Sequence, residues 1–216
     1  MLPNLNEEKK LWKKGFKRIL GLDEAGRGPL AASVVAAAVM VRKSKIKNKK
    51  SRILLKEVKD SKKLSPKKRE EIYKNLIKNS SIEWAIGRTS EKVIDKINIL
   101  EATKLAMERA VRNLEKKLTK KANFLILDGG FKINLDIPQK SIKKADNKVF
   151  SVAAASIIAK VSRDRTMRRY HKKYQKYGFD RHKGYPTKLH RKMLKKHGPC
   201  KIHRKTFKPV KVLLPK

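Results

Sequence analysis

The four carboxylates most able to do chemistry sit where a basic surface has no use for them. Asp23 and Glu24 follow the apolar stretch Arg18-Ile-Leu-Gly-Leu and precede Gly26-Arg27-Gly28-Pro29. Asp128 closes Phe124-Leu-Ile-Leu and is followed by Gly129 and Gly130; Asp146 lies in Lys144-Ala-Asp146-Asn-Lys148, just ahead of an alanine-rich segment. Oxygen ligands converging from distant chain positions are what a hard cation needs, and Mg²⁺ takes a few carboxylates plus substrate phosphate oxygens while keeping several waters. Two such ions about 3.5–4 Å apart activate water and stabilise a leaving oxygen in phosphoryl transfer. Taken singly, each acid reads equally well as a strand-end cap or a lysine partner, so at this level a metal site and a set of surface acids both stay open. A regular strand would send the adjacent Asp23 and Glu24 to opposite faces. Both serve one site only if the backbone bends there, which the glycines that follow permit.

The elements that must position these acids are legible in outline. Arg18 to Asp23 reads as a short strand, and Leu30 to Val41, rich in Val and Ala, as a second one buried on both faces. Arg42 to Arg52 reads as a solvated hairpin or loop. Ser65-Pro66 supplies an N-cap and a first-position proline for a helix continuing through Ile72, Tyr73, Leu76 and Ile77. Ile82 to Ile86 alternates like a strand, Asn98 to Leu118 carries an amphipathic helical pattern, and Phe124 to Asp128 reads as a buried strand. Val152 to Tyr174 reads as a helix buried at its apolar start and emerging at its basic end, and Lys188 to Lys196 as the last helix. Strands first and helices interleaved later give an α/β or α+β class.

The chain has 216 residues, with 59 Lys+Arg against 19 Asp+Glu and a formal charge of +40. Such a charge attracts a polyanion, and nucleic acid is the obvious one. A hydrophobic fraction of 39% suffices for a core, whereas 6% aromatics leave little for an array of base-stacking platforms. The single Cys200 excludes an internal disulfide framework and a cysteine-based zinc cluster. His171, His182, His190, His197 and His203 fit no compact zinc motif and read as surface or phosphate-contact residues. The apolar run Leu30 to Val41 is shorter than the about 20 residues a membrane-crossing helix needs, and the charged N-terminus carries no signal-peptide pattern. The expectation is a soluble, cytoplasmic protein that leaves membranes alone.

The motifs, in chain order, resemble the ribonuclease HII family. They begin with Gly21-Leu-Asp23-Glu24-Ala-Gly26-Arg27-Gly28-Pro29-Leu30, Asp60-Ser-Lys-Lys-Leu64 and Asn98-Ile-Leu-Glu-Ala-Thr103. They continue with Leu127-Asp128-Gly129, Lys144-Ala-Asp146 and Ala153-Ala-Ala-Ser156-Ile-Ile-Ala-Lys160-Val-Ser-Arg163-Asp164. They end with His182-Lys-Gly-Tyr185-Pro186-Thr187, His197-Gly-Pro199, His203-Arg204 and Phe207-Lys-Pro209. The first and the alanine-rich blocks are the specific ones.

The resemblance implies a ribonuclease-H-like mixed sheet of about five strands flanked by helices, divided into a basic leader (1–17), a catalytic core (18–165) and a basic helical extension (166–216). It implies that Asp23, Glu24, Asp128 and Asp146 hold two divalent ions, Mg²⁺ or Mn²⁺. Gly26, Arg27, Gly28 and Tyr185 would sense the ribonucleotide, and Ser61 and Lys62 would hold phosphate. Asp164 falls inside the helix motif and reads as structural, paired with a neighbouring arginine. The family usually has Asn where Gly130 stands and Gly where Ala145 stands, so a local hydrogen bond and the loop of Asp146 are expected to differ.

The activity implied is hydrolysis on the 5′ side of a ribonucleotide in RNA–DNA hybrid or duplex DNA, leaving 3′-hydroxyl and 5′-phosphate ends. It would serve ribonucleotide excision repair and replication, performed by a monomer with no protein partner inferable. The alternatives are a non-catalytic hybrid- or RNA-binding protein on the same scaffold, and a junction resolvase indifferent to the 2′-hydroxyl.

Overall fold

The computed structural model describes residues 2–46, 49–58, 61 and 64–214. Five strands form one mixed sheet in the order β3-β2-β1-β4-β5: β1 (Ile19–Ala25), β2 (Val34–Val41), β3 (Ile82–Thr89), β4 (Phe124–Asp128) and β5 (Gln139–Ile142). Strand β2 runs antiparallel to both of its neighbours, and β4 parallel to both of its own. Every residue of β2 is buried, because β1 and β3 take its edges while helices cover both faces. One face packs on α5 (Phe150–Lys173), joined by α2 (Lys49–Glu57) and α3 (Pro66–Lys78); the other packs on α4 (Glu91–Leu118). The alanines of α5 and Ala37 of β2, which faces them, remove the side-chain bulk that would hold helix and sheet apart.

Helix starts follow their caps. Ser65 accepts from the Lys68 amide at 3.2 Å with Pro66 at the first position, and Thr187 accepts from the His190 amide at 3.2 Å to open α7 (Lys188–His197). Helix α4 begins at Glu91, earlier than its pattern suggests, and kinks at Asn98 (φ 64°), whose Oδ1 accepts from the Leu100 and Glu101 amides at 2.8 and 3.1 Å. Asn98 therefore caps the longer second section, the part the amphipathic pattern picks out.

One expectation about the elements is corrected, and one strand goes unforeseen. Arg42 to Arg52 is not wholly a loop, since α2 starts at Lys49 and buries Ser51 and Leu54 beneath its lysines. Strand β5 has no apolar signature, because an edge strand with one neighbour and half-exposed residues needs none. Residues 6–13 form α1 (Asn6–Lys13). Its buried Glu8 accepts from the Ser151 amide at 2.9 Å, which satisfies one of the unpaired donors at the start of α5.

The chain beyond α5 folds over the 26–33 loop through α6 (Phe179–His182), α7 and α8 (Lys208–Lys211). The histidines here overturn the surface expectation. His182, His190 and His203 are buried among Tyr177 and Phe179, with the rings of His182 and His190 stacked at 4.2 Å. The Cys200 amide donates to His203 Nδ1 at 2.9 Å, so His203 Nε2 carries the proton donated to His190 Nε2 at 3.1 Å, and His190 Nδ1–H donates to the Tyr185 carbonyl at 3.0 Å. Among the described residues no helix is long and apolar enough to cross a membrane.

Candidate active site

Strands β1 and β4 are parallel neighbours with Leu22 opposite Leu127, so Asp23 and Asp128 leave adjacent carboxyl-terminal ends of the sheet. Ligands of open α/β sheets bind outside such ends. Asp146 arrives on a single 3-10 turn, Ala145–Asn147, between β5 and α5. The Ala145 amide donates to Asp128 Oδ1 at 2.7 Å and so ties that turn to the end of β4. One carboxylate oxygen from each of Asp23, Asp128 and Asp146 lies within 4.8 Å of the other two, with Asp23 and Asp146 buried. Three acids so close repel one another unless a proton or a cation intervenes, and all three offer the hard oxygen donors that Mg²⁺ or Mn²⁺ takes.

Glu24 stands beside this trio rather than in it. Strand β1 stays paired through Ala25, so the alternation turns Asp23 toward α5 and Glu24 toward the α4 side. The expected bend between the two acids is absent. The Glu24 carboxyl instead reaches around the strand end, hydrogen-bonding the Asp23 side chain while Arg27 Nη1 sits 3.5 Å from its Oε1. Burial, then the charges of Glu24 and Asp128, holds the Asp23 carboxyl well above the usual carboxylate range. Burial also raises Glu24, with Arg27 opposing it and Asp128 reinforcing it. The Ser156 hydroxyl on α5 hydrogen-bonds Asp23, and Ser61 meets Ser156 at 2.8 Å. Ser61 is thus turned inward toward the site; Lys62 lies outside the described residues.

At neither departure from the family pattern is the backbone forced into an unusual shape. Gly129 holds φ 115° with Phe131 packed against it, whereas Gly130 has open space where a side chain would stand. The left-handed backbone before Asp146 falls on Lys144 (φ 55°), not Ala145, so alanine costs nothing there. Asp164 does meet an arginine, Arg69 of α3 at 3.9 Å rather than one beside it in the chain, and pairs more closely with Lys160 Nζ at 2.9 Å.

The 26–28 loop and Tyr185 meet although they lie far apart in the chain. A side chain built on Gly28 would come within 3.8 Å of Tyr185 Cε1, and Arg27, Gly28 and Tyr185 are all exposed. Lys160 Nζ lies 5.5 Å from the centre of the Tyr185 ring and also lines a recess of about 260 Å³ with Arg69, Arg168, Arg181 and Lys183. A larger cavity, about 770 Å³ among Trp12, Phe16, Arg18 and Met40, opens at the other end of the sheet and contains none of the four acids. The spacing of the chain gave no sign of Ser156, Arg163 or Arg204 as site supports. Their one sequence signal is that all three fall within the family-like motifs.

Against known proteins, the family model described as Ribonuclease HII matches residues 20–210. The chain is 47% identical over 201 residues to ribonuclease HII of Caldicellulosiruptor bescii, which covers 93% of this chain and 91% of that one. Its fold resembles the crystal structure of ribonuclease H2 from Pyrococcus horikoshii OT3, with a TM-score of 0.71 and 28% identity over 91% of this chain and 96% of the other. The fold is also similar to Bst-RNase HIII solved in complex with Mn²⁺, with a TM-score of 0.70 and 18% identity over 90% and 68% of the two chains. A match over nearly its whole length, on a sheet that brings three acids together, establishes that the chain belongs to the ribonuclease HII family and is a metal-dependent ribonuclease.

Proposed function

We propose that the protein hydrolyses the phosphodiester on the 5′ side of a ribonucleotide, in RNA–DNA hybrids and at single ribonucleotides within duplex DNA, leaving 3′-hydroxyl and 5′-phosphate ends. The observation that carries this reading is the approach of Asp23, Asp128 and Asp146 oxygens to within 4.8 Å, a set of hard donors that fits a divalent cation. The Mn²⁺ bound by the RNase HIII relative supports the choice between Mg²⁺ and Mn²⁺ as occupants. Two divalent ions, when bound, supply an acidified water and offset charge on the departing 3′-oxygen.

The chain's own residues do the rest. Asp23 and Asp128 anchor the ions, and Asp146 completes the shell from the turn that Asp128 holds. Ser156 keeps Asp23 oriented from behind. Glu24 would hold a cation in place of Arg27, and Arg27, 44% exposed at its side chain, would then be free to meet a phosphate. The main chain of Gly26, Arg27 and Gly28 faces the shallow minor groove where a 2′-hydroxyl is displayed, with Tyr185 against the neighbouring sugar. Ser61 acts through its backbone, since its hydroxyl is turned to Ser156. Lys62, from the same segment, holds a phosphate without reading sequence.

The test is cleavage of three substrates: a duplex carrying one ribonucleotide, an all-DNA duplex and an all-DNA four-way junction, each with Mg²⁺ and with EDTA. One cut 5′ to the ribonucleotide, dependent on metal, is expected. Binding without products would favour a non-catalytic hybrid binder, and cutting of the junction a resolvase. Affinity for duplex should fall with salt, with a slope of about 0.9 per neutralised phosphate; a flat profile would place the charge surplus of the chain away from its substrate.

A further inference from the structure

The two largest fully buried side chains are both charged: Arg163 is 1% exposed and Arg204 0%. Neither forms an ion pair with a carboxylate among the described residues; Asp164 for Arg163, and Asp95 and Glu91 for Arg204, offset the burial only from a distance. Burial, with the neighbouring charge of Arg163, pulls the Arg204 guanidinium down from its usual range to about 9. Such residues persist only where each N–H finds an acceptor, and here every acceptor is a main-chain carbonyl.

Arg204 donates from Nη2 to the Gly26 carbonyl at 2.6 Å and from Nη1 to the Arg27 carbonyl at 2.8 Å; Nε and Nη2 reach Ala32 at 2.9 and 2.8 Å. Arg163 donates from Nη2 to Ala31 at 3.1 Å, from Nε to Ser33 at 3.2 Å and from Nη1 to Lys183 at 3.0 Å. Lys183 lies two residues before Tyr185, and the Arg163 guanidinium lies 5.9 Å from the centre of the Tyr185 ring. Gly26, at φ 103°, rests on Arg163 so closely that a Cβ would stand 2.1 Å from Nε. One guanidinium therefore pins the glycine loop from behind, while the other bridges that loop to the turn bearing Tyr185. With the Gly26 and Arg27 carbonyls turned inward, the trans peptides that follow turn the Arg27 and Gly28 amides the other way.

We propose that Arg204 and Arg163 are positioning residues for ribose discrimination, fixing the distance and orientation of the Gly26–Gly28 backbone relative to Tyr185. This rests on the reading of that loop and Tyr185 as the ribonucleotide sensor. Lysine keeps the charge but donates from one point, so it cannot span the Gly26, Arg27 and Ala32 carbonyls together.

The test uses full-length protein with Asp128→Asn to prevent turnover, and measures affinity in Mg²⁺ for a duplex with one ribonucleotide and for its all-DNA counterpart. The parent should prefer the ribonucleotide. Adding Arg204→Lys, or Arg163→Lys, should cut that preference at least fivefold through weaker binding of the ribonucleotide duplex, with all-DNA affinity within twofold of the parent. Each is scored below its own melting temperature, so a less stable variant still reports. If the preference is kept while melting temperature drops, the arginines only hold the extension to the core and the proposal fails. If the parent itself shows no preference, the sensor reading fails first.

Discussion

Asn at position 128 is expected to lower cleavage of a ribonucleotide-bearing duplex about a thousandfold, or about 4 kcal/mol in the barrier, while leaving duplex affinity within a factor of ten. The substitution is well matched to the site. Asp128 Oδ1 accepts the Ala145 amide, and an Asn oxygen can accept the same hydrogen bond, so the turn that carries Asp146 keeps its tether. What is lost is a charge that a divalent ion needs and that the metal-free site is better without. Asp23 is pushed up by burial first and then by the charges of Glu24 and Asp128. Removing one of these repulsions should raise the melting temperature in EDTA and shrink the increment that Mg²⁺ adds. An ordinary core substitution would lower both stability and activity, whereas this one should separate them. Single-turnover cleavage, duplex titration and thermal melting with and without Mg²⁺ check the three parts. Turnover at the level of the unsubstituted protein would remove Asp128 from its assigned place.

What the sequence discloses and what it conceals follow from the same physics. Strands β1, β2 and β4 are legible because they lie inside the sheet with both faces covered, which forces apolar runs, and an acid ending such a run is conspicuous. Strand β5 is hidden because Gln139-Lys-Ser-Ile142 pairs on one edge only and is half-exposed. The acid trio is legible as separate strand-end carboxylates, but the side step of Glu24 is not. It depends on β1 staying regular through Ala25 and on Arg27 curling back, neither of which spacing encodes. Arg163 and Arg204 are the hardest to find. Among 59 basic residues the motifs mark these two but not their burial, which is decided mostly by carbonyls more than a hundred residues away. The histidines mislead for a related reason: a basic segment looks like surface until Tyr177 and Phe179 close over it.

Those histidines should make the fold acid-labile in a defined window. His190 and His203 are each pushed down to about 4, by burial first and then by a neighbouring histidine, from an ordinary value near 6.5. The groups facing them are His182, Tyr177, Phe179, the Tyr185 carbonyl and Cys200, none of which is an acid that would welcome a proton. A base with a depressed folded-state pKa is neutral in the native protein and protonated in the unfolded chain. The unfolded state then binds more protons, and stability falls as pH drops from about 6.5 toward about 4. Because the two rings share one hydrogen bond they titrate as a pair, and their joint effect from pH 7 to 5 is about 3 kcal/mol, on the order of 10 °C in melting temperature. The raised carboxyl of Asp23 acts in the opposite sense, since the native state there holds the proton more tightly and loses stability as pH rises. Melting is therefore best followed in saturating Mg²⁺, which keeps Asp23 ionised. The double variant His190→Gln, His203→Gln should melt lower at pH 7 and lose most of the fall between pH 7 and 5, with His182, which burial also pushes down, keeping a smaller share. An equal acid slope in parent and double variant would mean that the buried pair does not govern it. Protonation of His190 at Nε2 breaks its hydrogen bond with His203 and leaves Nδ1–H on the Tyr185 carbonyl, so acid should loosen the His203 side of the cluster before the turn that carries Tyr185.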